Sequence, residues 1–403
     1  MRLPLLLPLV ACLLGGAVAS QTFPVGVRGF GLVNPTKTGS RILTSTVFYP
    51  AKSLGPRAPL LPRKGGYPIV VFLHGFTLSG WMYVELGYAL ASRGYIGVMA
   101  DTAPKDLDLQ IADGVAVLAA LARENSRPGA FLAGALDTKH AAVMGHSTGG
   151  SNVVHVLANN PGYRAGIALA PFIGYDQKYV ERVAPKVRVP LLILNGANDK
   201  ITPYKKHAQV VFDQVTNSRD LIVFHLLNKD CNHMTVAAWL SGRPPIAREV
   251  FELSQRIVGG FLDTFLRDAP RGLDRVAGRT ARAEPRMQAI SLRAQRPFYF
   301  KVGGDDVPGT NATFQVIAET GFALHFLAGK RANIATSIGT LRLDPATTIF
   351  AGFTPIGASK LSLFRIPVSK DPRLRGAVLP LQVIGPSPSG IRFSNATQLS
   401  IRK

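Results

Sequence analysis

From Arg41 to Asp268, short runs of β-branched and other apolar residues alternate with longer stretches whose apolar residues recur every three or four positions. The first pattern marks strands and the second amphipathic helices. Strands are predicted at Ile42 to Tyr49, Ile69 to Leu73, Ile96 to Ala100, Ala141 to Gly145, Ala165 to Ala170, Leu191 to Asn195 and Leu221 to Leu227. Helices are predicted near Trp81 to Ser92, Leu107 to Arg123, Thr148 to Asn159, Pro203 to Gln214 and Ile246 to Arg267. Apolar strands alternating with helices pack as a mostly parallel sheet flanked by helices, so the fold class is α/β.

The pattern changes after the last helix. Arg271 to Arg296 is rich in arginine, contains Gly272, Gly278 and Pro285, and shows no strong apolar period, which reads as a linker. From Phe298 onward short strand-like runs are separated by Gly, Pro, Asn and Asp, as in a small all-β sandwich. The expected organisation is therefore a leader over 1–19, a catalytic α/β unit over 20–270, a linker over 271–296 and a β-sandwich over 297–403.

Composition refines this picture at three points. The apolar leader runs to Ala17, Val18 and Ala19, the small-x-small pattern of a signal-peptide cleavage site, so the protein is expected to be secreted or displayed at the cell surface; Cys12 offers the alternative of a lipoprotein anchor. Loss of the leader leaves Cys231 as the single cysteine, so no internal disulfide is expected, and a lone cysteine of this kind reads as a small packed residue. The formal charge of +22 implies attraction to anionic surfaces. It does not imply specific nucleic-acid binding, because the basic residues are scattered and accompany no recognition motif. A monomer is expected.

The strongest chemical signal is Gly145-His146-Ser147-Thr148-Gly149, directly after a predicted strand and directly before a predicted helix. Glycines two positions either side of a serine permit a sharp strand-to-helix turn that exposes the hydroxyl, and this arrangement points to the α/β-hydrolase fold. The amide of Thr148 then becomes a candidate oxyanion donor. A second donor is expected from the loop after an earlier strand, where Leu73-His74-Gly75-Phe76 offers the amide of Phe76 and a ring able to line the substrate pocket.

A serine hydroxyl needs a base and the base needs an orienting acid. In this fold they follow the serine in the order acid, then histidine. Asp199 lies just beyond the strand Leu191 to Asn195, and His233 just beyond Leu221 to Leu227, both at the sheet edge where ligand sites gather. His225 falls inside a strand, Asp230 is too close to His233, and Asp101 precedes Ser147, so these rivals fit less well. No group of His, Cys and carboxylates has metal-ligand spacing, and neither metal nor organic cofactor is expected.

At these residues the chain resembles polyester hydrolases and cutinase-like esterases, and more distantly chlorophyllase and platelet-activating-factor acetylhydrolase. The resemblance spans roughly Ile42 to Arg267 and rests on Thr46-Val47-Phe48-Tyr49-Pro50, Leu90 to Tyr95, Val143 to Gly150 and Asn198-Asp199-Lys200-Ile201-Thr202-Pro203. It implies a serine esterase acting on a small-molecule, lipid or polymeric ester, with Ser147, Asp199 and His233 catalytic, Phe76 and Thr148 forming the oxyanion hole, and Phe172 lining the substrate cleft beside Phe76. Thr148 stands where these enzymes usually carry Met, and no cysteine pair closes the hydrolase region. The competing reading from another class is a surface-binding protein that uses its β region. It gives no reason for nucleophile, acid, base and oxyanion loop to be present together.

Overall fold

Ile69, Val71 and Leu73 face one side of their strand while Val70 and Phe72 face the other, and all five are fully buried. A strand with two apolar faces must be covered on both. The computed structural model describes residues 22–36, 39–102, 105–174, 177–218, 220–238, 244–303 and 307–402. The expected signal peptide and the alternative anchor at Cys12 lie outside the described residues. Among those described, no helix is long and apolar enough to cross a membrane.

The strands β1 (Val25–Thr36), β2 (Gly39–Pro50), β3 (Gly55–Pro56), β4 (Tyr67–Leu73), β5 (Ile96–Ala100), β6 (Leu136–His146), β7 (Ala165–Leu169), β8 (Leu191–Gly196), β9 (Leu221–Leu227) and β10 (Met287–Ala294) form one sheet in the order β10-β9-β8-β7-β6-β4-β5-β2-β1-β3. The run from β5 through β4, β6, β7 and β8 to β9 is parallel. An antiparallel β1–β2 pair extends it past β5, and antiparallel β10 extends it past β9. This is the α/β-hydrolase arrangement expected from the sequence.

Helices α1 (Val84–Ser92), α2 (Leu107–Ser126), α3 (Thr148–Asn159), α4 (Gln177–Val183), α5 (Ala208–Gln214) and α6 (Pro245–Leu266) cover the sheet. Leu86 and Leu90 of α1 and Val250, Ile257, Phe261 and Leu262 of α6 join one core with Val70, Phe72 and Met144. On the other face, Val117 and Leu121 of α2, Val153 and Val156 of α3 and Val211 of α5 pack with Ile69, Val71 and Val143.

The segment 271–296, expected as a linker, is instead part of the main body. It supplies β10 as the sheet's edge strand, and Leu273, Val276, Ala277, Leu292 and Ala294 are buried in the core that α6 lines. Its arginines hid this pattern, because their long side chains turn outward and find partners while the small and apolar residues between them turn in. Arg286 pairs with Glu249 and Arg296 with Asp220 at 2.6 Å, while the segment's own Glu284 pairs with Arg256 of α6 at 3.3 Å.

The residues beyond form β11 (Phe298–Gly303), β12 (Asn311–Ile317), β13 (Gly321–Ala328), β14 (Arg331–Thr336), β15 (Gly339–Leu343), β16 (Thr348–Ile356), β17 (Leu361–Pro367), β18 (Val378–Ser387), β19 (Gly390–Phe393) and β20 (Thr397–Ser400), arranged as additional small sheets. Strand β11 serves two cores: Phe298 and Phe300 enter the core of α6, while Tyr299 points into a separate cluster with Phe314 and Leu381.

A chain ended after Arg271 therefore loses Leu273, Val276, Leu292, Phe298 and Phe300 from its core. Each such side chain contributes about 1.5–3 kcal/mol when fully buried, and a domain has only about 5–15 kcal/mol of net stability. The truncated protein is expected to be insoluble or to melt far below the full chain in thermal denaturation. An unchanged melting temperature would contradict this account.

Candidate active site

Ser147 sits on the turn between β6 and α3 with φ +57° and ψ −121°, a conformation costly for a side-chain-bearing residue. The turn exists because the flanking backbones come closer than a methyl group allows. A Cβ on Gly149 would lie 2.2 Å from the carbonyl oxygen of Leu73, and one on Gly145 would lie 2.2 Å from that of Gly149. The backbone of Ser147 is then fixed at both ends. Its amide donates to the carbonyl of Leu169 at 3.0 Å, and its carbonyl accepts the amide of Phe172 at 2.9 Å.

The second of these bonds brings Phe172 to the serine. Its ring stacks on His207 with centroids 5.2 Å apart, and His207 Nδ1 accepts the amide of Ile173 at 3.2 Å. Burial lowers the pKa of His207, with the charge of Lys206 acting in the same direction and that of Asp199 opposing it.

Asp199 and His233 meet as their positions after successive strands predict. His233 Nδ1 is 2.9 Å from Asp199 Oδ2. A carboxylate only accepts, so Nδ1 carries the proton and Nε2 keeps its lone pair. Asp199 is held from the other side by the amides of Ile201 at 2.9 Å and Thr202 at 2.7 Å, and by the Thr202 hydroxyl at 2.6 Å. Burial by itself raises the Asp199 carboxyl, but the hydrogen bonds from His233 and Thr202 outweigh it and leave the group below its ordinary value.

Ser147 and His233 line one cleft of about 310 Å³ together with Gly75, Phe76, Leu78, His146, Thr148, Phe172, Ile201 and Met234. All residues assigned to the site from the sequence are thus gathered here except Asp199, which lies behind His233. Thr148 opens α3, so its amide is one of the first-turn groups that lack an intrahelical acceptor.

The rival residues have structural roles. His225 is fully buried with Nε2 bonded to the carbonyl of Val276, and burial lowers it to about 4. Asp101 accepts the amide of Gly80 at 2.6 Å, and His140 pairs with Asp137 at 2.6 Å. Cys231 is buried and free, and burial pushes its thiol up to about 12.

Sequence reasoning overlooked Thr202, Leu78, Ile201 and Met234. The signal for Thr202 was present as Asp-x-x-Thr, the spacing at which a carboxylate caps the amide three residues ahead. Leu78, Ile201 and Met234 carry no local signal, since only the folding of three separate loops brings them together.

A family described as PET hydrolase-like matches residues 39–248. The bis(hydroxyethyl) terephthalate hydrolase of Streptomyces coelicolor is 28% identical over 217 residues, covering 53% of this chain and 64% of that protein. Cutinase 1 of Thermobifida cellulosilytica is 27% identical over 169 residues, covering 42% of this chain and 62% of its own length. A cutinase of Thermobifida fusca is 27% identical over 169 residues and is covered over 54% of its length. The chain thus spans less than two thirds of these curated relatives.

Two outcomes follow from this geometry. Gly149→Ala is expected to yield little soluble, active protein, because the new methyl meets backbone that cannot move independently; normal yield and turnover would show that the elbow relaxes. Since the Asp199 pKa is depressed on folding, its contribution to stability is present above the ordinary value of 3.8 and is lost as pH falls through the folded value. The gap in melting temperature between wild type and Asp199→Asn should therefore narrow as the solution is acidified below that value. A gap independent of pH would exclude the ionic contribution.

Proposed function

The chain belongs to the PET hydrolase-like family, and on that premise we propose that it hydrolyses carboxylic esters by acyl transfer through Ser147. The observation that carries the reading is the Asp199–His233 pair, 2.9 Å apart, with His233 opening on the cleft that holds the Ser147 elbow.

In this mechanism Ser147 Oγ attacks the ester carbonyl carbon as His233 Nε2 takes its proton. Asp199 holds the His233 tautomer and stabilises the imidazolium that forms. The amides of Phe76 and Thr148 receive the negative charge developing on the carbonyl oxygen. The intermediate collapses, the C–O bond to the alcohol breaks, and His233 returns the proton to the departing oxygen. Water, deprotonated by His233, then attacks the acyl-enzyme, releases the carboxylic acid and restores Ser147.

The cleft favours an uncharged apolar ester. Phe76, Leu78, Phe172, Ile201 and Met234 supply apolar walls, and among the described residues no Lys, Arg, Asp or Glu lines it. Its volume of about 310 Å³ suits a small acyl group or the end of a longer chain. The relatives named for bis(hydroxyethyl) terephthalate and cutin chemistry support esters of this kind, with polyester ends among them.

The reading extends to the rest of the chain. The leader with Ala17 and Ala19 supports export, and the charge of +22 supports retention at anionic surfaces by a monomeric enzyme. For the C-terminal region we infer a β-sandwich. This is supported by a cluster in which Tyr299, Phe314 and Ile366 of one small sheet pack with Ala323, Leu381 and Val383 of another.

Ser147→Ala is expected to lower kcat on a short p-nitrophenyl ester by about 10⁴-fold or more while leaving the melting curve unchanged. A fluorophosphonate should label the wild type on the peptide containing Ser147. Label on another residue, or turnover near wild type in the variant, would overturn the assignment.

A further inference from the structure

Three hydrogen bonds behind the cleft run in series. The Gly75 amide lies 3.2 Å from Tyr83 Oη, Tyr83 Oη lies 2.8 Å from His146 Nδ1, and His146 Nε2 lies 2.8 Å from the carbonyl oxygen of His233. Tyr83 and His146 are both fully buried. We propose that Tyr83 and His146 are positioning residues, forming one polarised strut that ties the oxyanion loop at Gly75 to the loop bearing His233. This rests on His233 being the base.

The direction of every bond is fixed by the two ends. A carbonyl oxygen only accepts, so His146 must carry its proton on Nε2. Nδ1 then holds a lone pair, and the Tyr83 hydroxyl must donate to it. The Tyr83 oxygen in turn accepts from the Gly75 amide, which can only donate. No group in the series can reverse without leaving a buried partner unsatisfied. Neither ring titrates near neutrality. Burial, with the charge of His233 acting in the same direction, lowers His146 to about 3, and burial raises Tyr83 above its ordinary value.

The consequence for the reaction is geometric. Asp199 holds the His233 ring at Nδ1, with Thr202 Oγ1 3.2 Å from the same nitrogen, but contacts to one atom leave the ring free to swing about it. The strut fixes the backbone carbonyl of the same residue, and the His146 ring packs against the His233 ring with centroids 4.6 Å apart. The ring is therefore held at both ends with Nε2 free. The same strut fixes Gly75, beside the oxyanion donor Phe76 and so close to the nucleophile that a Cβ on it would lie 3.3 Å from that of Ser147. Base, nucleophile and oxyanion loop thus share one set of buried bonds, and a displacement of about 1 Å in such an arrangement can cost on the order of 10²-fold in rate.

The test uses the full chain. Nitrogen NMR of histidine-labelled wild type, followed from roughly pH 5 to 9 where histidines ordinarily titrate, should show the His146 ring neutral throughout with its proton on Nε2, as the buried His225 ring should also be. His146→Gln identifies the His146 ring by removing its signal. Kinetics on a soluble ester should show kcat falling about 10- to 100-fold in Tyr83→Phe and in His146→Leu, with KM changed less than about threefold. His146→Gln, whose amide can both donate and accept, should recover part of the loss. The proposal is overturned if the His146 ring titrates in that range or carries its proton on Nδ1. It is equally overturned if His146→Leu is as active as His146→Gln, the ranking that apolar packing alone would give. Should the variants fail to fold, the His146 ring is identified in the wild type by its through-space contact with the His233 ring, whose centroid lies 4.6 Å away, and its tautomer and titration decide. Failure of the base assignment would appear separately, as turnover surviving His233→Ala.

Discussion

The close approach of two backbones, the first turn of α3 against the end of β4, is the constraint on which the site depends. Gly149 sits where even a Cβ would reach the Leu73 carbonyl, so the chain entering α3 must bend sharply, and Ser147 absorbs the bend at positive φ. Strain at one residue persists only where surrounding contacts over-determine it. Here they do: the amide and carbonyl of Ser147 are both bonded, and the carbonyl accepts the amides of Ser151 and Phe172. One steric requirement thus sets the Ser147 turn, brings in a wall of the cleft, and seats the Leu73–Phe76 loop next to the serine.

Electrostatics around this point are arranged by exclusion. The protein carries a formal charge of +22, yet the cleft is lined by apolar residues, Ser147, Thr148 and two histidines, and burial keeps His146 neutral. The carboxylate behind His233 is stabilised by three donors from its own turn together with the imidazole. Its charge is therefore stabilised locally by these donors. Among the described residues no Lys or Arg lines this cleft, so the surplus of basic groups lies elsewhere.

Much of this could be read along the chain because the relevant forces are local. The strands from Ile69 to Leu227 were legible because parallel strands covered on both faces are apolar throughout, and the Gly-x-Ser-x-Gly turn because its glycines answer a nearby steric demand. Asp199 and His233 could be placed at one sheet edge because each follows its strand directly. By contrast, 271–296 was misread because the pattern of its buried residues is interrupted by arginines such as Arg286 and Arg296, whose charges end on Glu249 and Asp220, distant in sequence. His225 shows the same limit: its partner, the Val276 carbonyl, lies in that very segment.

The sequence by itself thus determined the α/β class, the elbow, and which serine, aspartate and histidine stand at the same edge of the sheet, since strand periodicity and chain order suffice for these. Only the tertiary structure decided which groups hold them. Thr202 on Asp199, the Gly75–Tyr83–His146–His233 series, and the cleft walls from Leu78, Ile201 and Met234 depend on which donors and acceptors are left facing one another once water is excluded. That pairing is a property of packed loops and has no period along the chain.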